Sequence, residues 1–90
     1  MKKQLEDIIC VTLDVLWNDV ISKKRNELFV NARLIYFHIA ITEIHPKIIC
    51  ERLNIHRTEL YHYKKIFSDK MIQANFSEKY YEIEKQYYTF

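Results

Sequence analysis

The chain has 90 residues, of which 49% are apolar, and it carries a net charge of +2. This length corresponds to one small domain, and this apolar fraction supports a packed core and excludes a disordered chain. Glycine is absent and proline occurs once, which excludes folds built from many tight β-turns and predicts an all-α fold.

The charge is distributed unevenly along the chain. Residues 22–73 hold ten Lys and Arg against five acids, whereas residues 1–21 and 74–90 carry net charges of −2 and −1. A basic centre between mildly acidic ends favours a local binding site for a polyanion over a basic tail.

The composition of the chain predicts a cytoplasmic location. Acidic residues precede any apolar run at the N-terminus, unlike in a signal peptide, and the most apolar stretch, 28–41, is too short to cross a bilayer. Cys10 and Cys50 lie in apolar periodic segments, and we interpret them as buried thiols in a reduced compartment.

The first half of the chain predicts two helices and a short helical turn. Apolar residues at helical spacing indicate a helix over about 3–14, followed by a helical turn over 17–21 with Asn18 as its cap. The segment 22–25 is then a basic loop or helix start. A long helix over 26–41 is apolar on most sides, so we expect it at the centre of the fold.

The segment 49–63 has the layout of a helix-turn-helix. Pro46 suits the first turn of a helix over 46–53, Asn54 suits the left-handed turn after it, and a second helix covers about 57–73. Apolar or small side chains are expected to hold these helices together, namely Cys50, Leu53, Ile55, Leu60 and Tyr63. The residues expected to face outward have side chains that contact phosphates and base edges in a major groove: His56, Arg57, Thr58, Tyr61, His62 and Lys65.

The last predicted helix opens at Ser77, its expected cap, with Phe76 and Tyr81 placed as a hydrophobic staple. The aromatic residues of this segment exceed what one buried face needs: Tyr80, Tyr81, Tyr87, Tyr88 and Phe90. Two interpretations stay open, namely packing on the core, or a surface for a protein partner or for self-association.

A basic motif, Asp19-Val20-Ile21-Ser22-Lys23-Lys24-Arg25, is followed by Val30-Asn31-Ala32-Arg33-Leu34-Ile35-Tyr36-Phe37. With this loop, the alanine-arginine pair and the helix-turn-helix after them, the chain from Leu5 to about Tyr88 resembles the C-terminal DNA-binding domain of the bacterial replication initiator DnaA. The resemblance implies a Trp-repressor-like domain of five or six helices that occupies residues 1–90 as a single unit.

The resemblance also implies roles for four basic side chains. Arg25 matches the family arginine that enters the minor groove beside the recognition helix. Lys23 and Lys24 match phosphate contacts of the family's basic loop. Arg33 matches an arginine of the long helix that lies against the DNA backbone.

The recognition helix departs from the family pattern. Thr58 and His62 match a threonine and a histidine of the family's aspartate-histidine-threonine-threonine signature, but His56, Arg57 and Glu59 replace other signature residues. Base readout depends on the donors and acceptors at these positions, so we predict that the chain does not read the initiator's usual binding box.

The chain lacks the sequence motifs for nucleotide hydrolysis, zinc binding and catalysis. Without glycine the chain has no phosphate-cradling loop, so we expect neither nucleotide hydrolysis nor a cofactor. Cys50, His56 and His62 are spaced six and six, which matches no common zinc pattern. No catalytic motif is present, so we expect neither an enzyme nor a small-molecule substrate.

The sequence therefore predicts binding of double-stranded DNA, in replication control or transcriptional regulation. An alternative stays open, in which the DnaA-like fold is retained as a protein-interaction module that competes with an initiator or binds one as a partner. Glu59 on the DNA side and the low net charge favour this alternative.

Overall fold

The described part of the protein, residues 4–89 of a computed structural model, contains helices and no strand. The all-α prediction is thus confirmed for this part of the chain. None of these helices is long and apolar enough to span a membrane. In chain order the six helices are α1 (Leu5–Leu13), α2 (Trp17–Val20), α3 (Glu27–Ala40), α4 (Pro46–Leu53), α5 (Arg57–Lys70) and α6 (Ala74–Tyr88).

The long helix α3 is the centre of the fold, as predicted. The other five helices all contact it. Its residues 32–37 are buried in succession, so no side of this stretch faces solvent. Each large apolar side chain buried there contributes about 1.5–3 kcal/mol relative to the exposed side chain. The packing of α3 therefore determines where the other helices lie.

Two predicted helix caps are wrong. Asn18 lies inside α2, whose N-cap position is Leu16 and has no side-chain hydrogen bond. Ser77 lies inside α6, which begins at Ala74, and its hydroxyl donates to the Ala74 carbonyl. The earlier start of α6 places four core residues on one helical face, namely Phe76, Tyr80, Ile83 and Tyr87. The burial of this face outweighs the preference of a serine for the cap.

The α5 helix ends at Lys70, three residues before the predicted end. The chain then turns through hydrogen bonds from the Ile72 and Gln73 amides to the carbonyls three residues back. This turn redirects the chain so that α6 can pack on α1 and α3.

The two cysteines are less buried than predicted. Cys10 and Cys50 are free thiols that are only half-buried, at the edge of the core. Burial still raises the pKa of both thiols, which disfavours the reactive thiolate.

One histidine joins three helices. The ring of His38 in α3 stacks on Phe67 of α5, with centroids 3.9 Å apart, and meets the edge of Tyr80 of α6 at 5.5 Å. Burial lowers the pKa of His38; the carboxylate of Glu84 raises it and the ammonium of Lys64 lowers it further. The folded protein therefore favours the neutral ring.

We expect the free energy of unfolding to decrease as the pH falls below about 6.5, the ordinary pKa of histidine. In this range the unfolded chain binds a proton that folded His38 resists, so acid favours unfolding. Urea unfolding at pH 5 and pH 7 measures the effect. The comparison is with His38→Phe, which should show a smaller loss of stability at pH 5. An equal loss in both proteins would contradict this role of His38.

Candidate nucleic-acid interface

The α4 and α5 helices are joined by a short turn over 54–56. Asn54 has φ 55° and ψ 46°, the left-handed conformation that the sequence predicts for it. Pro46 occupies the first turn of α4, also as predicted, and His45 caps that helix by accepting a hydrogen bond from the Lys47 amide at 3.1 Å. These local preferences define where α4 begins and ends.

The apolar side of the α4–α5 pair faces the core. Leu53, Leu60 and Tyr63 are buried, and Cys50 and Ile55 are half-buried between the helices. Burial raises the pKa of Tyr63 to about 12, so its hydroxyl stays protonated. The opposite side of α5 is consequently free of packing contacts with the core.

The outward side of α5 and of the turn before it is exposed over its first two turns. Six side chains singled out from the sequence lie on this surface: His56, Arg57, Thr58, Tyr61, His62 and Lys65. Glu59 is also exposed in this region, and it is the one acidic residue in the range 56–65. The exposed set is therefore basic and polar.

His56 is exposed and also has a structural role. It occupies the N-cap of α5, and its Nδ1 accepts from the Thr58 amide at 3.4 Å and lies 3.1 Å from the Thr58 hydroxyl. A side-chain cap satisfies an amide that the helix itself leaves without a partner. His56 thus fixes the start of α5 at Arg57.

The basic loop, which we define as residues 22–25, connects α2 to α3. Lys23, Lys24 and Arg25 are exposed. Lys24 pairs with Asp19, with Nζ and Oδ1 3.0 Å apart. An exposed ion pair of this kind contributes little free energy, so a phosphate can replace the carboxylate.

Arg33 lies inside the protein, which corrects the expectation that it contacts the DNA backbone. Its side chain is 8% exposed, and its guanidinium donates to three carbonyls. Nε reaches the Val20 carbonyl at 2.6 Å, and Nη2 reaches those of Ser22 and Lys24 at 2.6 and 2.7 Å. A buried cation needs such acceptors, and here they all belong to the basic loop and the residue at the end of α2.

The turn between α4 and α5 contacts the residue that directly precedes the basic loop. The Asn54 side-chain amide donates to the Ile21 carbonyl at 3.3 Å, across 33 positions of the chain. Sequence reasoning missed this contact, because nothing in the side chain of Ile21 marks its carbonyl as an acceptor. The contact brings the loop next to the turn from which α5 begins.

The tyrosines of α6 divide between the two interpretations that the sequence left open. Tyr80 and Tyr87 are buried, and their hydroxyls donate to Glu84 and Glu43. Tyr81 and Tyr88 are exposed. Phe90 lies outside the described residues. Tyr81 and Tyr88 therefore form an exposed aromatic surface on α6. This surface is smaller than the number of tyrosines in the helix suggests.

A cleft of about 700 Å³ lies between α1, α3 and α6. Asn31 lines it, and its Oδ1 is buried without a hydrogen-bond partner among residues 4–89. Three acids also line the cleft, Asp14, Glu27 and Glu78, against the one cation Lys79. This lining is net acidic and repels a polyanion, so the cleft does not extend the basic surface. Within the described range no three His, Cys, Asp or Glu side chains are arranged to hold a metal ion.

No protein-family model matches the chain, and no match was found among curated proteins or among solved structures. The resemblance to the DnaA C-terminal domain therefore stays a prediction from the sequence.

We expect Arg33→Met to lower the free energy of unfolding by about 1–3 kcal/mol, because three carbonyls lose their donor. The amides of the basic loop should also exchange with solvent faster. Urea unfolding and hydrogen exchange measure the two effects.

The matched control for that substitution is Lys47→Met, which removes one charge from an exposed position of α4. Its effect should stay within about 0.5 kcal/mol, as is usual at the surface. Equal stability of the Arg33→Met and Lys47→Met variants would contradict the structural role of Arg33.

Proposed function

We propose that the protein binds double-stranded DNA, with α4 and α5 as a helix-turn-helix and the basic loop as a second contact. The observation that carries this proposal is the hydrogen bond from Asn54 to the Ile21 carbonyl, which joins the turn before α5 to the residue that precedes the basic loop. Both regions expose basic side chains, and in this proposal a duplex contacts both at once. We also propose that the fold is that of the DnaA C-terminal domain.

The basic loop supplies electrostatic affinity in this proposal. Lys23 and Lys24 contact phosphates, and Lys24 exchanges Asp19 for a phosphate oxygen. Arg25 reaches into the adjacent minor groove. Arg33 does not touch DNA but holds the loop through its three hydrogen bonds. Contacts of this kind release counterions and make binding dependent on salt.

The α5 helix supplies sequence preference. The N-terminal residues of a recognition helix contact base edges in the major groove. Arg57, Thr58, Tyr61 and His62 are exposed over this part of α5 and would read bases, while Lys65 lies one turn further along and would contact a phosphate. DNA binding of this form would serve replication control or transcriptional regulation.

A second candidate function is a protein-interaction module. Glu59 is exposed in the first turn of α5, where it would repel phosphates, and Lys24 is already paired with a carboxylate. Tyr81 and Tyr88 offer exposed aromatic side chains, the type that anchors protein interfaces. A competitor or partner of an initiator would use these features.

A titration with random-sequence duplex at low salt separates the two functions. A DNA binder should associate with a Kd of about 1 µM or tighter, because nonspecific contacts strengthen when salt is reduced. Fluorescence anisotropy of a labelled duplex measures this. No association at low salt would contradict DNA binding, and capture of a purified initiator by the same protein would then support the interaction module.

We expect Arg25→Ala to weaken DNA binding and to flatten the slope of log K against log salt by up to about 0.9, the value for one neutralised phosphate, because a cation in the minor groove also releases counterions. The matched control is Lys85→Ala, which removes one exposed charge from α6. The control should leave the slope nearly unchanged. An unaltered slope in Arg25→Ala, or equal changes in both variants, would count against the role of Arg25.

A further inference from the structure

Tyr61 is the most exposed aromatic side chain among residues 4–89, at 74% of its full accessible area. It lies in the second turn of α5, between Leu60 and Tyr63, which both face the core. No hydrogen bond or ring contact holds it within the described part of the chain. The ring of Tyr61 therefore exposes apolar surface to water, although other side chains of α5 pack against the core.

The neighbours of Tyr61 on α5 are polar. Arg57 and Lys65 lie one turn before and one turn after it, at i−4 and i+4, and both are exposed. A ring between two cations is not part of an apolar patch of the kind that anchors a protein partner. This arrangement is complementary to a polyanion that also presents an apolar group on its surface.

Thr58 adds a second apolar group to this face. It lies three residues before Tyr61, which places the two side chains next to each other on the helix. Its hydroxyl lies 3.1 Å from Nδ1 of the capping His56. The methyl group of Thr58 has no part in this contact and is available for an apolar contact outside the protein.

We infer that Tyr61 and Thr58 read the C5-methyl groups of thymine in the major groove. The thymine methyl is the apolar group that base pairs present there, and apolar side chains recognise it. An aromatic side chain with two rotatable bonds makes such a contact at a low cost in conformational entropy. This inference rests on the proposed function and specifies it, because it makes Tyr61 a residue that determines specificity for thymine-containing duplexes.

The test begins with a duplex selected for binding from a random pool. Thymine should be enriched in the selected site. Each thymine of that duplex is then replaced singly by deoxyuridine, which removes only the methyl group. For wild-type protein we expect the Kd to rise about fourfold at one or two positions, the factor that corresponds to one buried methyl or methylene group.

The same substitutions are measured with Tyr61→Ala and Tyr61→Phe. Tyr61→Ala should lose sensitivity to at least one of these methyl groups, whereas Tyr61→Phe should keep it, because the ring and not the hydroxyl makes the contact. This comparison is a double-mutant cycle between a side chain and a methyl group. Circular dichroism confirms that the variants are folded, as we expect for an exposed position.

Three results would overturn the inference while DNA binding stands. They are a selected pool without thymine enrichment, a wild-type protein that ignores the methyl groups, and an equal cost of their removal in wild type and Tyr61→Ala. Absence of binding to any duplex at low salt would instead contradict the proposed function itself.

Discussion

A single buried guanidinium connects the core of this protein to its basic surface. Arg33 lies in the middle of α3, between buried Ala32 and Leu34, and its charge is met by carbonyls of Val20, Ser22 and Lys24. An arginine cannot lose its proton inside a protein. If the loop moved away, the charge would be left buried without acceptors. The loop consequently has a defined position although it has no regular secondary structure.

The connection between this segment and the α4–α5 turn is weaker than the connection that Arg33 makes. The Asn54 amide reaches the Ile21 carbonyl at 3.3 Å, and Asn54 is exposed to solvent. An exposed neutral hydrogen bond contributes less than a buried charged one. The loop is therefore held firmly to α3, and the residue before it is held loosely to the turn between α4 and α5.

The sequence predicted well those features of the structure that depend on a residue's effect on its own backbone. Pro46 and Asn54 act on their own backbone, so the bounds of α4 and the left-handed turn followed from them. Ser77 failed as a cap because a cap contributes about 1 kcal/mol, less than the burial of a side chain such as Phe76. The role of Arg33 depends on carbonyls 9 to 13 positions away, and backbone carbonyls leave no mark in a sequence.

The capping of α5 also determines which hydrogen-bonding group its N-cap residue, His56, offers to a ligand. Nδ1 of His56 accepts the Thr58 amide, so the neutral ring must carry its hydrogen on Nε2. This tautomer makes the outer edge of the imidazole a donor and removes its ability to accept. Towards a nucleic acid, His56 is complementary to phosphate oxygens and to the N7 and O6 atoms of guanine, and not to the amino groups of adenine or cytosine.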